Sequence, residues 1–268
     1  MKKNFAIWLV ILSFSVLVSC QTTTTTTTPG IGSETSDSDF KADDENHKKK
    51  AADLNMRLGV AYFQKGDYET ALEKLQKSLQ QDPNMATTHN AIALLYQTLG
   101  EDKLADKHFK QSLRIDSKYS EAQNNYGVFL CDQGQYKEAE QHFLKAIKNP
   151  LYRSRAFALE NAGMCVNKIP DPILAEKYFR QALQLNPNLA KSLLNMADLS
   201  YQNIDYLKAR AYIQRYHAVA PWGPKALLLA IKIENKLGDK NAVSSYILLM
   251  ENEFPDSDEA AQVRSGNY

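Results

Sequence analysis

The sequence predicts an all-α chain: a right-handed superhelical solenoid of about six helix-turn-helix repeats, closed by a C-terminal capping helix. Three columns of residues predict it. Ala71, Ala105, Ala139, Ala175, Ala209 and Val243 recur every 34 residues, except for one step of 36 between Ala139 and Ala175. Four residues behind them runs a bulky column, Leu75, Phe109, Phe143, Phe179, Ile213 and Ile247. A third column holds Pro83, Pro187, Pro221 and Pro255. No alternating strand pattern competes with this period.

A period near 34 with small, bulky and Pro columns is the tetratricopeptide signature. Copies fit at 52–85, 86–119, 120–153, 156–189, 190–223 and 224–257. In the first helix of each copy, small residues (Gly59, Ala93, Gly127, Gly163, Ala197) allow close approach of a neighbouring helix. Gly66, Gly100, Gly134 and Gly238 stand where the chain turns between helices, and Gly takes φ > 0 without steric cost. The fourth and fifth copies carry Pro170 and Ile204 at that position, so their turns are expected to differ. Pro83 and its equivalents stop the second helices they follow, because Pro cannot continue a helix. A pair such as Leu54, Leu58 and Tyr62 with Ala71, Leu75 and Leu79 cannot bury its apolar faces alone, and stacking does so. Residues 257–263 are expected to cap the last repeat.

The 268-residue chain is 44% hydrophobic, enough for a sizeable core, and its net charge is +1 with a pI near 7.7. That balance lacks the basic domain of a nucleic-acid binder. Met1-Lys2-Lys3 followed by apolar residues 5–18 reads as a bacterial secretory signal, residues 1–19. It ends in Leu17-Val18-Ser19-Cys20, a lipobox-like site at which Cys20 becomes the lipidated first residue of the mature chain. Several acyl chains on one Cys anchor firmly, where a single chain is marginal. Gln21 after the Cys, rather than Asp, resembles the signal for outer-membrane sorting with the chain on the periplasmic face. Residues 20–50 read as a tether. The run of Thr at 22–28 and the Ser/Asp/Glu stretch bury too little to repay ordering, and a flexible segment of this size spans roughly 30 Å. His47-Lys48-Lys49-Lys50 reads as a solvated helix start, and 51–268 as the repeat domain.

Catalytic chemistry has no candidate. The five His residues lack metal spacing such as H-E-x-x-H, and neither a nucleophile elbow nor a phosphate-binding Gly loop is present. No cofactor, metal or small-molecule substrate is expected. Cys131 and Cys165 lie one repeat apart on first helices, whose axes pack about 8–10 Å apart. In an oxidising periplasm they form a candidate disulfide, and two buried thiols are the alternative. Counting along the first helices places four groups on the inner wall: Asn90, Leu94 and Gln97; Asn124, Val128 and Asp132; Glu160, Met164 and Asn167; Leu194, Asp198 and Tyr201. This mixed polar and apolar row suits a protein segment better than a small ligand.

More specific than the repeat columns are Asn124-Asn125-Tyr126-Gly127, Phe129-Leu130-Cys131 and the join Asn149-Pro150-Leu151-Tyr152 followed by Asn161-Ala162-Gly163 and Cys165. With a lipobox ahead of six repeats, the chain resembles the type IV pilus biogenesis/stability lipoprotein family (PilF/PilW) over roughly 53–263. The Thr-rich tether departs from the family pattern. The resemblance implies a pilotin, a non-enzymatic lipoprotein whose partner is the pilus secretin and which promotes its outer-membrane localisation or multimerisation. The competing readings are other envelope scaffolds, a β-barrel assembly lipoprotein or a peptidoglycan hydrolase adaptor.

Overall fold

The bulky column sets the architecture. In the computed structural model, which describes residues 37–169, 171–266 and 268, Leu75, Phe109, Phe143, Phe179 and Ile213 are all fully or almost fully buried. The signal, Cys20 and the Thr run lie outside the described residues, as does Pro170. Thirteen α-helices and no strands make up the described chain. Residues 44–268 form one unit, and of the preceding unit only the helical backbone of 37–43 is described.

The helices pair in chain order. α1 (Asp37–Gln64) packs on α2 (Tyr68–Gln81) through Met56, Val60 and Phe63 against Ala71 and Leu75. Then follow α3 (Ala86–Thr98) with α4 (Asp102–Ile115), α5 (Ser120–Asp132) with α6 (Tyr136–Lys148), and α7 (Arg155–Val166) with α8 (Pro172–Leu185). α9 (Ala190–Gln202) pairs with α10 (Tyr206–His217) and α11 (Pro224–Leu237) with α12 (Lys240–Glu253). Odd-numbered helices also touch the next odd-numbered helix, from α3 to α11. The capping helix α13 (Asp258–Arg264) lies on α11 and buries Ala260 and Val263 against Leu227 and Ile231, in the place a further repeat would take.

Local chemistry explains where the helices begin and stop. Asp67, Asp171, Asp205 and Asp239 cap the second helices, each accepting a hydrogen bond from the backbone N–H three residues on. The residue before the cap turns the chain with φ of 81° at Gly66, 75° at Gly134 and 79° at Gly238. The fifth turn, expected to differ, has the same form. Ile204 adopts φ 63°, and Ile204 N–H and Asp205 N–H donate to Tyr201 and Ser200 carbonyls as Gly134 and Gln135 do to Cys131 and Leu130. The bonds of the turn therefore outweigh the steric penalty that a β-branched residue pays there.

Two further findings refine the sequence reading. α1 starts at Asp37, well before the expected end of the tether at Lys50, and i,i+4 ion pairs Lys48–Asp44 and Lys49–Glu45 support its exposed turns. The 36-residue step is accommodated at the α6–α7 join, where Asn149 Oδ1 accepts from Leu151 N–H and Tyr152 turns inward between Ala146 and Ala158. No described helix is long and apolar enough to cross a membrane.

Candidate functional site

Each odd-numbered helix from α3 to α11 is covered on three sides, by its partner and by the helices before and after it, and open on the fourth. The open side repeats at i, i+4, i+7 and i+11, one stripe of a 3.6-residue helix. On α5 it carries Glu121, Asn125, Val128 and Asp132, and on α7 Phe157, Asn161 and Met164, with Lys168 just past the helix end. Phe157 is 52% exposed there, a large apolar side chain left in solvent. α9 contributes Lys191, Asn195, Asp198 and Gln202, and α11 contributes Lys225, Lys232 and Lys236.

Leu94, Val128, Met164 and Asp198 from the sequence reading lie in this stripe, as does Asp132. The other predicted residues do not. They sit on the flank of each helix that meets the next odd-numbered helix. Asn90, 6% exposed, accepts from Asn125 Nδ2 at 3.2 Å, and Asn124 accepts from Asn161 Nδ2 at 3.1 Å. Glu160, also 6% exposed, accepts at Oε2 from both N–H and Oγ–H of Ser192, so its carboxylate is turned into the stack. Asn167 donates to Asn195 at 3.4 Å. Leu194 and Tyr201 pack against the α11 layer, and Gln97 lies on the equivalent flank of α3. The cause is register: one residue along a helix turns the side chain by about 100°. Asn125, Asn161 and Asn195 share one column, and that column was the signal available in the sequence.

These flank contacts give the inner face its rigidity. Asn124 Nδ2 donates in turn to Asn125 Oδ1 at 3.4 Å, so a chain of side-chain amides runs from α3 through α5 to α7. Beside it, Cys131 and Cys165 are disulfide-bonded, with Cα atoms 5.8 Å apart, as expected for first helices one repeat apart. The bond floors a cleft of about 70 Å³ lined by Val128, Met164, Asn161 and Phe143. Asp132 and Lys168 close one side of it with an ion pair at 3.7 Å. Further along, burial holds the Asp198 carboxyl above its ordinary range, opposed by the Gln202 amide and the charge of Lys232. The apolar cleft between Val128 and Met164 lies beside the amide groups of Asn125 and Asn161, an arrangement that can hold an extended polypeptide by its main chain and its side chains together.

Similarity to known proteins follows the same lines. Family models of the tetratricopeptide repeat match residues 59–100, 86–119 and 108–141. The type IV pilus assembly protein PilF of Pseudomonas aeruginosa is 35% identical over 210 residues, which cover 78% of this chain and 83% of that protein. The chain belongs to the PilF/PilW family of type IV pilus biogenesis factors. A solved structure of P. aeruginosa PilF matches 82% of this chain and 99% of its own at a TM-score of 0.78 and 34% identity. The crystal structure of PilW, described as a widely conserved type IV pilus biogenesis factor, matches 79% and 97% at a TM-score of 0.72 and 28% identity.

Proposed function

We propose that this PilF/PilW-family protein is a lipid-anchored pilotin of the outer membrane. Acyl chains on Cys20 hold it at the periplasmic face, residues between the anchor and α1 give it reach, and the inner face holds segments of pilus secretin subunits. Holding several subunits close to the membrane raises their effective concentration there and favours ring assembly. The observation that carries this reading is the uncovered inner stripe, where Phe157, Val128 and Met164 are left apolar and accessible beside the amide groups of Asn125 and Asn161. Faces of this kind mark sites of protein association.

The test is to count heat-stable secretin multimers in envelopes of a strain lacking the protein and of strains carrying variants at matched abundance. Deletion is expected to deplete the multimers. Met164→Glu and Phe157→Ala are expected to reproduce much of the loss, because a truncation or charge at a central contact costs about 2 kcal/mol, some thirtyfold in affinity. Lys74→Ala and Lys110→Ala, on second helices, are expected to behave as wild type. Multimers unaffected by deletion refute the reading.

A further inference from the structure

The inner face changes character along the stack. At the α3 end its stripe is uncharged, with Thr87, Leu94 and Thr98. At α5 and α7 the charges of Asp132 and Lys168 answer one another, and Glu121 adds an exposed acid. At the far end they do not balance. Lys225, Lys232 and Lys236 project from the open side of α11, and Lys191 stands in the matching position of α9. Lys191, Lys225 and Lys236 are exposed and Lys232 half-buried. None of the four has a carboxylate within ion-pair distance among the described residues, although elsewhere cations of the same stack do pair, as Lys208 with Glu176 and Arg210 with Glu234. Two acids stand near them: Asp198, whose charge interacts with that of Lys232, and Glu259, which lines the same hollow as Lys225.

Lysines along the exposed stripe of a helix are commonly paired with acids three or four residues away. Here Glu234 of α11 and Asp239, the cap of α12, are turned to Arg210 of α10, so on the open side of α9 and α11 four lysines face a single acid, Asp198. A net positive field along one end of a binding face selects and orients a partner of opposite charge.

We infer that the α9–α11 end of the inner face receives an acidic stretch of an extended polypeptide whose apolar residues lie over Leu94, Val128 and Met164. The inference rests on the reading of the inner face as the partner site, and it adds the chemistry and the placement of that partner. Five helices spaced about 8–10 Å apart span roughly 40 Å, the length of about 12 extended residues. The bound segment therefore has an apolar, β-prone part of six or so residues followed along the face by a part rich in Asp and Glu. The lysines act on rate and selectivity as much as on affinity, and salt screens them while leaving the apolar contacts intact.

The test uses the purified protein and three fluorescent peptides of about 12 residues, the length of the face. Each has the same alternating Leu/Thr half. The other half carries Asp and Glu in the first, Asn and Gln in the second, and Lys in the third. Fluorescence anisotropy is expected to show the acidic peptide binding at least about tenfold more tightly than the amide peptide, a preference that disappears in high salt, with the basic peptide weakest. The double change Lys225→Glu with Lys232→Glu is expected to abolish the preference, with an unchanged thermal midpoint showing that the stack is intact. Lys107→Glu with Lys145→Glu, on second helices, is expected to keep it. Equal binding of the acidic and amide peptides, absence of binding, or an unaltered preference in the α11 variant overturns the inference. Secretin multimers lost on deletion but restored in full by the α11 variant also overturn it while leaving the pilotin reading in place. Multimers indifferent to deletion remove that reading, whatever the peptides do.

Discussion

Ile204 holds a left-handed backbone, φ 63°, that a β-branched residue adopts only at a cost. Its side chain is 72% exposed, so little packing would be lost with it. Ile204→Gly is therefore expected to raise stability by about 1 kcal/mol, the steric relief being partly offset by the entropy of Gly in the unfolded chain. Urea denaturation checks it, and a loss of stability would show that the Ile204 side chain supports the turn in some other way. Histidines make a second prediction. His89 Nδ1 lies 3.0 Å from His108 Nδ1, and His142 Nδ1 lies 2.5 Å from Gln123 Oε1. Burial lowers His108 and His142 to about 4, and burial likewise lowers His89. The unfolded chain, with His near 6.5, then binds more protons than the folded one between these values. Stability is expected to be full above pH 6.5 and to fall as pH drops toward 4, and His142→Gln is expected to flatten part of that slope. Thermal melts across this range check it. Neither feature was legible beforehand. The turn column marked position 204 but not that an Ile there would keep the left-handed form, and the His pair forms only when helices nineteen residues apart at these positions are docked.

At the scale of the element, the 34-residue columns were legible because each is a packing requirement repeated. A Cβ on Gly127 would lie 2.8 Å from Phe143 Cε1, and one on Gly163 would lie 2.7 Å from Phe179 Cε1. Gly127→Ala is thus expected to cost about 1 kcal/mol net, overpacking outweighing the better helix propensity of Ala, and Phe143→Leu in the same chain is expected to recover part of it. Denaturation of the single and double variants measures the coupling; additive effects would place the clash elsewhere. The disulfide was legible only as two cysteines on successive first helices: the 36-residue step makes Asn167, not Cys165, the column equivalent of Cys131, so the bond joins offset positions on the flanks where α5 and α7 meet. Cys131→Ser is expected to lower stability by about 3–4 kcal/mol on the chain-entropy view, the two cysteines being 34 residues apart. The inner stripe was read less well. Asn124-Asn125 offers two candidate registers, and only the docked helices show that Asn124 bonds Asn161 across the seam while Asn125 borders the open side.

At the scale of the whole molecule, periodicity reveals the stack but not its loaded face. The columns that repeat most strictly are the buried ones, and the residues of the open side vary along the stack, from Leu94 at one end to Lys232 and Lys236 at the other. The anchor is a separate prediction. Cys20→Ala is expected to move the protein from the membrane to the soluble fraction with its fold intact, as judged by an unchanged melt; a variant that still sediments with the outer membrane contradicts the proposed address. The central claim is that the inner face, rather than the outer one, holds the pilus partner. A photo-crosslinking residue placed at Met164, and in a second strain at Lys110 on the exposed side of α4, tests it in living cells. The account predicts a secretin adduct from position 164 that is absent from position 110, and an adduct from position 110 alone would contradict it.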